Sequence, residues 1–292
     1  MSASAQAVPL IDKFSAIADR YDGVICDVWG VLHNGVRVTR PANAALIAMR
    51  ERGMAVVMLT NAPRPPADIE KFVLQLGADA RAWDAIVSSG GVTRSLMQQH
   101  GARPFHHMGP KRDVSVYEGL AARPTGLDEA DYVLCTGLVN DETETAEDYR
   151  PQLERMLERN QELICANPDI VVERGHKLVP CAGAIADLYE RMGGRVTFVG
   201  KPHPLVYDFA LREMERVLGR TVTRDRILGI GDAIRTDVAG AAAFGIESLF
   251  VIDGIHAQET GLKDGGLSAD SLAAFFARQA LKPTFATRAL HP

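Results

Sequence analysis

The sequence predicts an α/β protein: a Rossmann-like, doubly wound parallel sheet interrupted by a second, smaller α/β domain. Three observations carry that expectation. Continuous apolar runs such as Ala55-Val56-Val57-Met58-Leu59 alternate with amphipathic segments, the pattern of parallel strands covered on both faces by helices. The texture shifts near Gly101, and parallel-strand texture returns at Val196-Thr197-Phe198-Val199. The length, 292 residues, exceeds the usual size of one hydrophobic core. Together these predict a discontinuous core domain at residues 1–100 and 196–292, with an inserted domain at 101–195.

The elements follow in order. Gly23 to Cys26 reads as a short strand, followed by a Gly-punctuated loop from Trp29 to Gly35. Pro41 suits the first turn of a helix, and Ala42, Ala45, Leu46 and Met49 share one face before Gly53 stops it. After the strand ending at Thr60-Asn61, Asp68 to Leu76 is helical and Ala85 to Val87 strand-like. Ser88 or Ser89 is placed to cap the helix that carries Thr93 to Gln99. In the inserted region His106 to Arg112 reads as a loop, Tyr132 to Cys135 and Leu163 to Ala166 as strands, and Leu153, Met156 and Leu157 mark a helix between them. Val196 to Val199 is expected to return to the core sheet. A helix over Leu205 to Leu218, a strand at Ile227 to Ile230, a helix from about Thr236 to Phe244 and a strand at Ser248 to Val251 complete it. Pro283 to Pro292 is expected to be a loose tail.

Composition narrows the function classes. Hydrophobic residues at 47% and charged residues at 24% are ordinary globular values. A formal charge of -5 without any dense Lys/Arg block disfavours a nucleic-acid partner. Cys26, Cys135, Cys165 and Cys181 are scattered in mostly apolar surroundings and read as reduced core thiols. The start, Met1 to Gln6, lacks a basic and apolar leader pattern, and no run of about 18 apolar residues occurs. A cytoplasmic protein with no membrane partner is expected.

Chemistry concentrates in four segments, each just after an expected parallel strand: Asp27, Thr60-Asn61, Gly200-Lys201-Pro202 and Gly231-Asp232-Ala233-Ile234-Arg235-Thr236-Asp237. In open α/β sheets the carboxyl ends of strands line the binding crevice. Asp27 and Asp232 are hard oxygen ligands suited to Mg²⁺, which takes one or two carboxylates plus waters and substrate oxygens. Lys201 is placed to neutralise a transferred phosphoryl group, with Thr60 donating a hydrogen bond to it.

In order and placement these segments resemble motifs I to IV of the haloacid dehalogenase-like (HAD) superfamily, and the insertion between the second and third resembles its class IIA branch of nitrophenyl, sugar and pyridoxal phosphate phosphatases. The resemblance runs from about Asp22 to Gly254. It implies a HAD core with a C2-type cap and a Mg²⁺-dependent phosphatase of small phosphorylated metabolites, sugar or cofactor phosphates. Asp27 would be the nucleophile that becomes an aspartyl-phosphate, Thr60 the motif II hydroxyl and Lys201 the motif III cation. The ion would be held by Asp27, Asp232, the backbone carbonyl of Trp29 and, directly or through water, Asp237. Asn167-Pro168-Asp169 resembles the family's cap segment and, with Asn61, would lie near substrate. The resemblance also allows a homodimer.

One position departs from the family. Phosphatases of this superfamily carry a second aspartate two places after the nucleophile, where this chain has Trp29. Indole neither delivers nor accepts a proton in the working pH range. The readings left open are a phosphatase of activated esters, a stand-in acid at His33 or His203 (by default surface residues), and a persistent phospho-Asp27 that makes the chain a phosphotransferase. Two others are a phosphometabolite-binding protein without turnover and, less in keeping with Asp232 to Asp237, a haloacid dehalogenase. His106 and His107 would diverge on an extended strand and are expected at the surface. The run Val179 to Ala184 precedes a helix whose first-turn N–H groups are either an anion site or a plain helix start.

Overall fold

The computed structural model describes residues 8–174, 177–262 and 267–292. The polar start from Met1 to Gln6 lies outside them. In chain order the first region holds β1 (Gly23–Asp27), α1 (Arg40–Glu51), β2 (Ala55–Thr60), α2 (Pro66–Gln75), β3 (Ala85–Ser88) and α3 (Ser89–His100). The middle holds β4 (Pro104–Met108), β5 (Arg123–Pro124), β6 (Tyr132–Cys135), α4 (Arg150–Glu158), β7 (Glu162–Cys165), β8 (Val171–Arg174), β9 (Lys177–Pro180), α5 (Ala182–Arg191) and β10 (Arg195–Phe198). The last region holds α6 (Pro204–Leu218), β11 (Ile227–Gly231), α7 (Ala239–Phe244), β12 (Glu247–Val251), α8 (Ala269–Ala277) and β13 (Phe285–Thr287).

Two main sheets result. The first has the order β13-β12-β11-β1-β2-β3, and its pairings from β13 through β2 are parallel. β1, β2 and β11 are buried at every position, which is why they read as unbroken apolar runs. The second sheet has the order β10-β7-β6-β4-β5, also parallel. β8 and β9 form a separate antiparallel hairpin. The α/β class with a parallel core sheet and a second parallel sheet is therefore the architecture. The chain divides into two compact units, one of Met1–Leu59, Val73–Ala85 and Ala210–Pro292, the other of Thr60–Phe72 and Ile86–Phe209.

Local chemistry sets the element ends. α1 buries Ala42, Ala45, Leu46 and Met49 as its periodicity requires, with Pro41 in its first turn. α3 is capped by Ser88, whose hydroxyl accepts from the Gly91 N–H at 3.0 Å and donates to the Arg64 carbonyl at 2.6 Å. A wide π-type turn, Ile234–Val238, precedes α7, where the sequence pattern suggests helix from Thr236. All four cysteines are buried, and none is in a disulfide.

Three expectations are corrected. Arg195–Phe198 pairs with β7 in the second sheet, not with the core sheet, because an apolar run announces a strand without naming its neighbour. The segment holding His106 and His107 is strand β4 rather than loop. Both histidines are half-buried, His106 facing the Thr125 carbonyl and His107 the Thr136 hydroxyl. The C-terminal segment is no loose tail: β13 pairs with β12, and Ala286 exchanges hydrogen bonds with Pro9 and Ile11.

Candidate active site

Three acids meet in the first unit. Asp27 ends β1, Asp232 follows β11, and Asp237 lies in the wide turn after it. β11 and β1 are adjacent and parallel, so their carboxyl ends deliver these side chains to one place. All three are buried, and each offers a carboxylate oxygen within 4.8 Å of the others. Unit charges about 4.8 Å apart repel by about 3.5 kcal/mol per pair at an effective dielectric of about 20. A cluster of hard oxygen donors under that mutual repulsion fits a hard divalent cation.

The acids are held by main-chain donors. Asp232 Oδ2 accepts from the Ile255 N–H at 2.7 Å, and Asp237 Oδ2 accepts from the Ala233 N–H at 3.1 Å. Asp232 sits between Gly30 and Gly254: a Cβ at either position would come within 2.1 to 2.2 Å of its carboxylate. Gly30 also has φ +98, in the region that favours glycine.

Trp29 follows in the loop after Asp27. Its half-buried ring meets His33 edge-on, with centroids 5.0 Å apart, and a backbone bridge joins the two residues. His33 is 2% exposed rather than on the surface. Its Nδ1 accepts from the Gly35 N–H at 2.9 Å, and burial lowers its pKa to about 4. It is a neutral imidazole near pH 7, not a charged proton donor. His203 is half-buried, stacked on Phe198 with ring planes 4° apart and centroids 5.1 Å apart, and burial lowers its pKa too.

The remaining expected site residues belong to the second unit. Thr60 is the residue after Leu59, which is Asp27's partner in the β1–β2 register, and its hydroxyl accepts from the Ala62 N–H at 3.2 Å. Lys201 is buried on the turn after β10. Asn61 joins it: the amide oxygen accepts from the Lys201 N–H at 2.7 Å, and Nδ2 donates to the Lys201 carbonyl at 3.1 Å and to Asp169 Oδ1 at 2.9 Å. Asn167 Oδ1 accepts from the Asp169 N–H at 3.1 Å, a local turn. The start of α5 packs on this segment, with the Gly183 N–H donating to the Asp169 carbonyl at 3.1 Å. The Ala184 N–H donates to the Cys181 carbonyl at 3.1 Å, so two first-turn N–H groups of α5 are engaged within the chain.

Residues 24–122 match the family described as haloacid dehalogenase-like hydrolase, and residues 198–275 match one described as HAD-hydrolase-like. A solved hydrolase of the haloacid dehalogenase-like family from Brucella suis 1330 is 42% identical, covering 96% of this chain and 99% of that one at a TM-score of 0.85. This chain belongs to the haloacid dehalogenase-like hydrolases. Within that family it is similar to the ribonucleotide monophosphatase NagD of Escherichia coli K12, at 27% identity over 80% of this chain and 88% of NagD. The 5'-nucleotidase YutF of Bacillus subtilis is 25% identical over 82% of this chain and 90% of its own length. Its branch is the NagD-like class IIA.

Three further residues carry no motif signal in the sequence. Gly254 shapes the Asp232 carboxylate without contributing a functional group. Ser89 lies 3.5 Å from Asn61 Oδ1 and reads only as a cap. Asp113 is buried beside Arg64, 3.6 Å away, in a stretch with no motif. Among the described residues no helix is long and apolar enough to cross a membrane.

Proposed function

We propose that this chain is a Mg²⁺-dependent phosphatase of small phosphate monoesters, with Asp27 as nucleophile and Trp29 at the position where the motif resemblance would place a second aspartate. The observation that carries the reading is the buried triad of Asp27, Asp232 and Asp237 at the ends of adjacent parallel strands. Family membership supports it, as do relatives named as a ribonucleotide monophosphatase and a 5'-nucleotidase. Nucleoside monophosphates and sugar phosphates are the substrates to screen first.

In the proposed chemistry an Asp27 carboxylate oxygen attacks phosphorus. The new O–P bond forms as the ester O–P bond breaks, and the leaving alkoxide takes a proton from solvent water. Water then attacks the aspartyl-phosphate, releasing inorganic phosphate and restoring Asp27. The roles of Thr60, as hydrogen-bond donor to the phosphoryl oxygens, and of Lys201, as their counter-charge, follow from motif order and resemblance. Asp27, Asp232, Asp237 and the Trp29 carbonyl would hold Mg²⁺, which supplies charge stabilisation to the phosphoryl oxygens.

Trp29 sets the expected limits. A general acid contributes roughly 10²- to 10⁴-fold; His33, its pKa lowered to about 4 by burial, is neutral near pH 7, and burial also lowers that of His203. Activated esters are therefore the preferred substrates, and the phosphorylated Asp27 should be long-lived. The test is turnover of p-nitrophenyl phosphate with Mg²⁺, with mass spectrometry for phospho-Asp27. Asp27→Asn should abolish both signals, and full activity in that variant would overturn the assignment.

A further inference from the structure

We propose that Asp169 is a positioning residue for the lysine-bearing turn, acting through Asn61 rather than on substrate; the proposal rests on Lys201 being the cation of the reaction. Asn61, 3% exposed, holds both main-chain polar groups of Lys201 with a single side-chain amide, accepting from its N–H and donating to its carbonyl. That arrangement exists in only one orientation of the amide. Turned over, Nδ2 would face the Lys201 N–H, donor against donor, and Oδ1 would face a carbonyl.

Asp169 selects the working orientation. Its carboxylate accepts from Nδ2 at 2.9 Å, and a turned amide would set Oδ1 against that carboxylate. Asp169 is itself anchored at both main-chain ends, its N–H donating to Asn167 Oδ1 and its carbonyl accepting from Gly183. The backbone beneath is closely seated as well. Gly200 has φ +143, and a Cβ there would fall 2.5 Å from Pro168 Cδ, 2.5 Å from Ser89 Oγ and 2.6 Å from Asn61 Oδ1. The Asn167-Pro168-Asp169 segment and Asn61 are thus the seat of the turn from which the Lys201 side chain departs. A misplacement of about 1 Å in a reacting group costs on the order of 10²-fold in rate, so the seat bears on turnover although it makes no chemistry of its own.

The test combines two readouts on the full chain. In the first, hydrogen–deuterium exchange of the Lys201 amide is compared in wild type, Asp169→Ala and Asp169→Asn; Pro202 has no N–H, which simplifies the peptide. Asp169→Ala should accelerate that amide, and Asp169→Asn, which keeps an acceptor oxygen, should restore most of the protection. The second is a kinetic cycle with p-nitrophenyl phosphate and a nucleoside monophosphate in Mg²⁺. Asp169→Ala should lower kcat by about tenfold or more on both substrates, with KM little changed. Its effect should vanish in the Asn61→Ala background, since residues acting in series are not additive. A loss confined to KM and differing between substrates, multiplicative losses in the double variant, or unchanged exchange of the Lys201 amide would each overturn the proposal. Asp169→Ser replaces Asp169→Ala if the latter does not fold. Lys201→Met separates the two readings. If it keeps full turnover while Asp169→Ala still frees the amide, the role of Lys201 fails and the seating of its turn stands. If it loses turnover and Asp169→Ala changes nothing, only the positioning fails.

Discussion

Under the proposed mechanism the residue two places after the nucleophile decides where a proton comes from, and here the Trp29 ring meets His33 edge-on, with a backbone bridge between the two residues. Trp29→Asp should therefore raise hydrolysis of alkyl phosphates more than that of p-nitrophenyl phosphate, whose leaving group needs little protonation. The ratio of the two rates is the measurement, and an unchanged ratio would mean that a carboxylate cannot work from that place in the loop. A second residue-scale effect concerns Asp113. Burial raises its pKa to about 6 against the lowering influence of Arg64 and Arg112, and the nearest guanidinium nitrogen, at 3.6 Å, makes no hydrogen bond. A raised carboxyl binds its proton more tightly folded than unfolded, so it favours the folded state at low pH. This contribution is lost as pH rises from about 4 to about 6, by up to about 3 kcal/mol. Urea denaturation across that range should show the slope in wild type and lack it in Asp113→Asn.

At the scale of elements, legibility followed burial. β1, β2, β11 and β12 are enclosed on both faces, so their apolar runs were visible, and α1 buried the four residues that its spacing selected. Strand β4 was hidden by Pro104 and two histidines whose rings find polar partners, and β13 by its brevity and the neighbouring prolines. Pairing is a tertiary property, which is why the apolar run of β10 predicts a strand but not the sheet it joins. The candidate site followed the same rule. Its acids and Lys201 carry their chemistry in their residue types, whereas the seating of the turn by Asp169 and Asn61 depends on segments more than a hundred positions apart. β13 supplies the element-scale prediction. Ala286 and Leu290 are each 1% exposed, and burying a large aliphatic or aromatic side chain is worth roughly 1.5 to 3 kcal/mol. Deleting residues 283–292, which also removes Phe285, should cost about 3 kcal/mol or more in urea denaturation. A loss below about 0.5 kcal/mol, within the range of ordinary surface changes, would restore the view of this segment as a tail.

For the molecule as a whole, an ion held by the acid triad as proposed would be tied to folding. Anything bound by the folded state alone stabilises it, by about 2.7 kcal/mol at a hundredfold excess over Kd. For a domain of this size that is a rise in Tm of roughly 5 to 10 °C. Mg²⁺ should therefore raise the melting temperature of the wild type and EDTA should reverse it, while Asp232→Asn should melt at the same temperature with or without the ion. An equal Mg²⁺ response in wild type and variant would place ion binding elsewhere. The space around Asp232 has a consequence of a different kind. Gly30 and Gly254, far apart in the chain, leave that carboxylate its room by having no side chain. The tolerance of this region to sequence drift is thus set partly by volume, and two residues with no side chain to donate, accept or ligate are as constrained as the acid between them. A search for functional positions keyed to reactive side chains would pass over both.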